Sequence, residues 1–256
     1  MKGANKMSSF NRISKSLFRE RFKIITFILA LHLFSVLASR IWDLFSANHA
    51  VNSLTGGVLI AVTIGLIFLA IMNEGTYDRD RYRLIPVSDK TLYLSNMWTT
   101  FVSVMYLLVG EGLIYFAAYK IFPNSYDQMM INDFNSTQQY LFKFEVAVGI
   151  ILTLMMVFSA ITLLHLLIES ISNFLPFRNQ ALVKTILAFV VTLVIGYPIK
   201  FITGAILKIM GIDNLDNSFT AVTHVLASGM AVMLIWMIVF SLINLYLLNR
   251  WSETSK

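Results

Sequence analysis

Six long apolar runs constrain the fold of this chain more than any other feature of its sequence. In chain order they occupy residues 24–45, 54–72, 97–119, 144–168, 181–199 and 226–249. A helix needs about 20 apolar residues to cross the hydrocarbon core of a bilayer. Because lipid cannot hydrogen-bond to an open backbone, such runs form helices when they span a membrane. The sequence therefore predicts an all-α integral membrane protein with six transmembrane helices.

The composition agrees with a membrane protein. Charged residues make up 13% of the chain, whereas a soluble domain holds about 25%. Six spans and their connections use most of the 256 residues, so we expect a single transmembrane domain and no soluble one. The net charge of +6 is better explained by membrane topology than by nucleic-acid binding. The absence of cysteine excludes disulfides and thiolate metal sites.

The distribution of basic residues predicts the orientation in the membrane. With a cytoplasmic N-terminus, fifteen of the twenty lysines and arginines fall on the cytoplasmic side and five on the outer side. The positive-inside rule then places both termini in the cytoplasm of a multi-pass protein of the cell membrane. The first apolar run follows a polar, basic stretch without a cleavage site of small residues, so we expect no removable signal peptide.

Residues 1–23 form a basic segment with two distinct faces. Cations and apolar residues recur at helical spacing on opposite sides: Arg12, Lys15, Arg19 and Lys23 on one, and Phe10, Ile13 and Leu17 on the other. This pattern is typical of an amphipathic helix that lies among lipid headgroups. We expect it to bend into the first span near Glu20 and Arg21. A basic tail that only sets the topology is the alternative.

The sequence after the fifth span predicts an unusual outer element. Gly196-Tyr197-Pro198 interrupts the apolar run, and a shorter apolar piece follows at 201–210. About ten residues are too few to cross a bilayer, and broken backbone at membrane depth is tolerated where protein buries it. We therefore expect a re-entrant or loop element within residues 200–225. A helix that is simply longer than the membrane is the alternative.

The densest charge lies between the second and third spans, in residues 74–96. Its candidate partner contacts are Tyr77, Arg79, Arg81, Arg83, Pro86, Ser88, Asp89 and Lys90. Pro86 disfavours helix at the preceding residue, and Ser88 supplies an N-cap for the third span. A bare hairpin needs only a few residues, so the length and charge of this segment favour contact with a soluble partner. A solvated loop is the alternative.

Together these features resemble the membrane (permease) subunit of bacterial type-2 ABC exporters. The resemblance covers nearly the whole chain in architecture, and its sequence signature is the short step Ile85-Pro86-Val87-Ser88. It implies that 74–96 is a coupling segment that docks on a separate ATPase subunit, which holds ATP and Mg²⁺. It also implies a second copy of this chain, or a related permease, in the complex. The exported substrate would be a peptide, a lipid or an amphipathic small molecule.

The chain itself is not expected to be an enzyme or to bind a cofactor. It contains no Gly-Lys pair, and therefore no phosphate loop of the Gly-x-x-x-x-Gly-Lys type. Its four histidines lack the His-Glu-x-x-His spacing of a zinc protease, so we expect no metal site. Besides protein partners, the expected contact is membrane lipid.

Glu111, in the third span, is the basis of the main alternative to the ABC-exporter hypothesis. An ionisable group in hydrocarbon is costly and usually faces a cavity or a partner. Glu111 would then line a translocation path, or serve a proton-coupled secondary transporter. A glutamate that is hydrated, or paired with a lysine or arginine, is the structural alternative. A third class is a non-transporting membrane scaffold or immunity protein.

Overall fold

The computed structural model describes residues 2–45, 54–78, 87–121, 135–174, 180–209 and 219–254. Within these ranges the chain forms six α-helices and no strand. They are α1 (Lys2–Phe45), α2 (Leu54–Asp78), α3 (Asp89–Ile121), α4 (Ser136–Phe174), α5 (Gln180–Ile209) and α6 (Phe219–Thr254). Each is long and apolar enough to cross a membrane. The predicted all-α membrane protein with six spans is confirmed.

The N-terminal amphipathic segment is part of the first transmembrane helix. α1 runs from Lys2 to Phe45, so the helix is not interrupted at Glu20 and Arg21. The apolar face predicted for this segment is covered by protein, because Ile13 and Leu17 are buried against the start of α3. The cations of the opposite face are exposed.

The fifth helix also continues further than its sequence indicated. α5 passes through Gly196-Tyr197-Pro198 and ends at Ile209, which corresponds to the alternative of a helix longer than the membrane. A 30-residue helix is about 45 Å long, whereas the hydrocarbon core is about 30 Å thick. Residues 210–218 of the predicted re-entrant element lie outside the described residues.

The helices form two compact units, α1–α3 and α4–α6. In the first unit, glycines allow the helices to approach closely. A Cβ added to Gly65 of α2 would lie 2.6 Å from a methyl group of Leu107 on α3. A Cβ added to Gly110 of α3 would lie 2.5 Å from Leu29 on α1. Small residues at such contacts are a usual means of packing helices in lipid.

The second unit is held by polar contacts between its helices. The side-chain amide of Asn244 on α6 donates to the backbone carbonyl of Ser159 on α4, at 2.9 Å. The indole N–H of Trp236 on α6 donates to Thr203 Oγ1 on α5, also at 2.9 Å. Such hydrogen bonds contribute to helix association where burial of apolar surface provides no driving force.

Candidate functional site

The predicted coupling residues lie around the connection from α2 to α3, and the structure describes those at its two ends. Arg79, Arg81, Arg83 and Pro86 lie outside the described residues. Tyr77, in the last turn of α2, is 3% exposed, so its ring packs inside this chain. Asp89 and Lys90 form the first turn of α3, with Lys90 exposed.

The start of α3 follows the predicted capping pattern. Ser88 precedes the helix, and its backbone carbonyl accepts hydrogen bonds from the N–H groups of Thr91 and Leu92, at 2.8 and 3.0 Å. The N–H of Thr91 also lies 3.4 Å from Ser88 Oγ, the contact that an N-cap serine makes with the third residue of a helix. The predicted N-cap is confirmed, and it fixes where the charged connection ends.

Arg21 of α1 is the centre of a buried hydrogen-bond network at this end of the first unit. Its side chain is 1% exposed and reaches α3. Nη1 donates to Thr99 Oγ1 and Thr100 Oγ1, both at 2.8 Å, and to the carbonyl of Asn96 at 3.1 Å. Nη2 donates to Asn96 Oδ1. A guanidinium presents several donors in one plane, so it can hold this set of acceptors at once.

The network continues from α3 to the last turns of α2. Asn96 Nδ2 donates to the backbone carbonyl of Asn73 at 3.1 Å. The hydroxyl of Thr100 lies 2.8 Å from Asn73 Oδ1, and Asn73 Nδ2 donates to Glu74 Oε1 at 2.7 Å. Arg21, Asn96 and Asn73 thus join α1, α2 and α3 through groups that are almost fully buried. Connected, satisfied polar groups in a low dielectric hold a structure rigidly.

An apolar cluster lies beside this network, next to the charged connection. Ile13 and Leu17 of α1 pack with Leu92 of α3, and Val87 packs against them. Val87 is the first described residue after residues 79–86 of the charged connection. The amphipathic segment of α1 therefore supports the point at which the connection enters α3.

Sequence reasoning missed the role of Arg21. Arg21 was expected to be a cytoplasmic cation near a bend, and the structure shows it buried between three helices. A usable signal was present on α3, where Asn96, Thr99 and Thr100 follow the i, i+3, i+4 spacing of one helix face. Polar residues on one face of a membrane span indicate a polar partner elsewhere in the bundle.

Glu111 is buried and paired, as an ionisable group in a span requires. It is 2% exposed, and its Oε2 is hydrogen-bonded to Nδ1 of His32 on α1 at 2.6 Å. The expected lysine or arginine partner is thus replaced by a histidine 79 positions away in sequence. Among the described residues, Glu111 Oε1 and His32 Nε2 have no hydrogen-bond partner. Two titratable groups in direct contact can share and exchange a proton.

Comparison with protein-family models, curated proteins and solved structures finds no match to this chain. The functional assignment therefore depends on the charged connection with the Arg21 network, and on the pair formed by His32 and Glu111.

Proposed function

We propose that this chain is the permease subunit of an ATP-driven ABC exporter. It moves a peptide, a lipid or an amphipathic small molecule out of the cell, and a separate subunit hydrolyses ATP. The observation that carries the proposal is the Arg21 network, which joins the three helices next to the charged connection. The resemblance of residues 74–96 to a coupling segment supports it.

A coupling segment is useful only if a force applied to it moves the transmembrane helices. α2 ends at Asp78 and α3 begins at Asp89, and Asn73 and Asn96 lie within about two helical turns of those ends. Arg21 bonds α1 to α3, and Asn96 of α3 in turn bonds Asn73 of α2. A partner that displaces residues 79–86 would therefore move α1, α2 and α3 together, instead of bending one helix end.

The proposed complex holds two permease chains and two ATPase subunits. Six spans are too few to enclose a route for a bulky solute, so a second copy or a related permease completes the path. The positive-inside rule predicts that both termini and the charged connection lie in the cytoplasm. This prediction supports the proposal, since ATPase subunits on that side have access to ATP.

Purification with bound partners tests the proposal. The tagged full-length chain would be extracted from its native membranes in mild detergent, and the proteins bound in near-equal amount identified by mass spectrometry. We expect a soluble protein with a phosphate loop. It should be lost when residues 79–86 are replaced by a Gly/Ser linker of equal length, and retained in a control that changes the exposed Arg19 to Glu. A chain that purifies only with itself would contradict the proposal.

A double substitution tests the coupling segment within the complex. Arg81→Glu with Arg83→Glu reverses two charges of the connection, so it should weaken an electrostatically guided contact with the ATPase subunit. We expect loss of transport and of membrane-dependent ATPase stimulation, with normal membrane insertion. Full transport by this variant would refute the role assigned to the segment.

A second candidate function is proton-coupled secondary transport, and the buried pair of Glu111 and His32 favours it. It requires no ATPase. In proteoliposomes holding only this chain and a pH-sensitive dye, a pH gradient should drive proton uptake that Glu111→Gln abolishes. Equal, background uptake by the wild type and the variant would count against this candidate, since it would show that the pair conducts no protons when the chain is alone in the membrane.

A further inference from the structure

Lys200 of α5 is an exposed cation within a transmembrane span. The span of α5 covers Val183–Ile206, and the Lys200 side chain is exposed. No hydrogen bond or ion pair links it to another residue in the described part of the chain. A charged side chain inside a bilayer is costly and almost always has a partner. The partner of Lys200 therefore lies outside the described residues of this chain.

The contact between α5 and α6 places Lys200 deep in the bilayer. Thr203 of α5 accepts a hydrogen bond from the indole of Trp236, so these two residues lie at the same depth. Trp236 is about 21 Å along the helix from Arg250, the exposed cation at the end of the α6 span. Consecutive spans run in opposite directions, so Lys200 lies about 4.5 Å nearer to the level of Arg250 than Thr203 does. That leaves Lys200 about 16.5 Å from the level of Arg250, near the middle of a core about 30 Å thick.

The second unit of another copy of this chain offers no carboxylate at that depth. Copies inserted with the same topology keep each residue at the same level in the membrane. The hydroxyl oxygens of Ser159 on α4 and Ser241 on α6 lie 3.3 Å apart, which sets the level of α4 against α6. On that scale the two glutamates of α4, Glu145 and Glu169, lie on opposite sides of Lys200, each about 18 Å away in depth.

The carboxylates in the spans of the first unit have partners of their own. Glu111 is held by His32, and Glu74 belongs to the Arg21 network. The remaining source of negative charge is the bilayer, which thins locally around a charged residue and so brings headgroups and water towards it. A phospholipid phosphate is therefore the anion that can reach Lys200.

The surroundings of Lys200 suit a phosphate. Tyr197 lies about one turn before it and is 77% exposed, and a tyrosine hydroxyl can donate a hydrogen bond. Side chains of a helix tilt towards its N-terminus, so the stem of Lys200 leads towards Tyr197. An added Cβ at Gly196 or Gly204, about one turn to either side of Lys200, would meet nothing within 4 Å. An ammonium group and a hydroxyl on an open face can bind several oxygens of one phosphate.

We propose that Lys200 and Tyr197 bind the phosphate of an anionic phospholipid from the surrounding bilayer. Opposite charges attract strongly where the dielectric is low, so the phosphate offsets the cost of a cation at this depth. A zwitterionic lipid fits less well, because its choline group would bring a second cation into an apolar region. The site lies on α5 and requires neither an ATPase subunit nor a second copy of this chain.

Photolabelling of the purified full-length chain in phosphatidylcholine nanodiscs tests the site. The probe is phosphatidylglycerol with a diazirine on its headgroup, and the matched control probe is phosphatidylcholine with the same diazirine and the same acyl chains. We expect phosphatidylglycerol to label residues 193–204 roughly tenfold more than phosphatidylcholine, the ratio that about 1.4 kcal/mol gives. Equal labelling of these residues by the two probes would overturn the proposal.

Three variants show which group selects the phosphate. Lys200→Gln removes the charge from an exposed position and should make labelling by the two probes equal. Lys200→Arg keeps the charge and should keep the preference for phosphatidylglycerol. Lys184→Gln is the matched control, since it removes an exposed cation of the same helix about 24 Å away, and it should also keep the preference. An unchanged preference in Lys200→Gln would contradict the site.

The oligomeric state separates a lipid from a protein partner. We expect the wild type and Lys200→Gln to have the same mass by light scattering after size-exclusion chromatography, because no subunit contact is lost. A smaller assembly in Lys200→Gln, together with no preferential labelling of the wild type, would overturn the proposal in favour of an ion pair with another chain. Neither experiment needs an ATPase subunit, so failure of this site would leave the proposed export function open, and the reverse also holds.

Discussion

Replacing Arg21 by methionine removes the guanidinium from the buried network and keeps an unbranched side chain in its place. The change deletes four hydrogen bonds from α1 to α3. Between membrane helices such bonds average about 0.6 kcal/mol each, which gives about 2.4 kcal/mol for the four. The loss of stability from Thr99 and Thr100 is limited, because their hydroxyls keep backbone carbonyls as hydrogen-bond partners.

Asn96 Oδ1 loses its charged donor in this variant, and an unsatisfied buried acceptor costs about 1 kcal/mol or more. We therefore expect Arg21→Met to lower the free energy of unfolding of the first unit by about 3 kcal/mol. Arg19→Met is the control. Arg19 lies on the exposed face of the same helix, and exposed substitutions usually change stability by less than about 0.5 kcal/mol.

The assay is unfolding in mixed micelles with increasing SDS, followed by tryptophan fluorescence. All variants are made in a background where Trp42, Trp236 and Trp251 are replaced by Phe, so that Trp98, which adjoins Thr99 on α3, is the remaining tryptophan. Arg21→Met should unfold at a lower SDS fraction than both the wild type and Arg19→Met. A double-mutant cycle with Thr100→Val should show that the two losses are not additive, because the side chains share a hydrogen bond. Equal midpoints for Arg21→Met and Arg19→Met would refute the structural role given to this arginine.

Three further predictions concern the same unit. Gly65→Ala should destabilise it by about 1–3 kcal/mol, because the new methyl group presses on the buried Leu107. The control Gly112→Ala should leave stability unchanged or raise it slightly. Equal SDS midpoints for the two variants would contradict this prediction. Ser88→Ala should cost about 1 kcal/mol through the lost N-cap, and faster hydrogen exchange in the first turn of α3 would show it. Glu111→Gln should change the free energy of unfolding by less than about 1 kcal/mol. Glu111→Leu should lower it by about 1–3 kcal/mol, because His32 Nδ1 is left unpaired. The same SDS titration would detect the difference between the two variants.

The sequence by itself determined the local features of this protein. The length of each apolar run is enough to predict a spanning helix, since the bilayer sets the length required. Ser88 before Asp89 predicted the start of α3, because an N-cap acts within one turn. Glu111 could be singled out because a carboxylate within a span needs a partner.

Only the tertiary structure decided which residues meet across the helices. Arg21 and Asn96 are separated by 75 positions, and His32 and Glu111 by 79. Tyr77, expected on a contact surface, is buried within the chain. In a soluble helix the buried face is marked by its apolar residues, but lipid is as apolar as a protein interior. Apolar residues therefore do not fix the rotation of a membrane helix. A polar face such as Asn96, Thr99 and Thr100 indicates that a partner exists, but the packing of α1, α2 and α3 decides which group it meets.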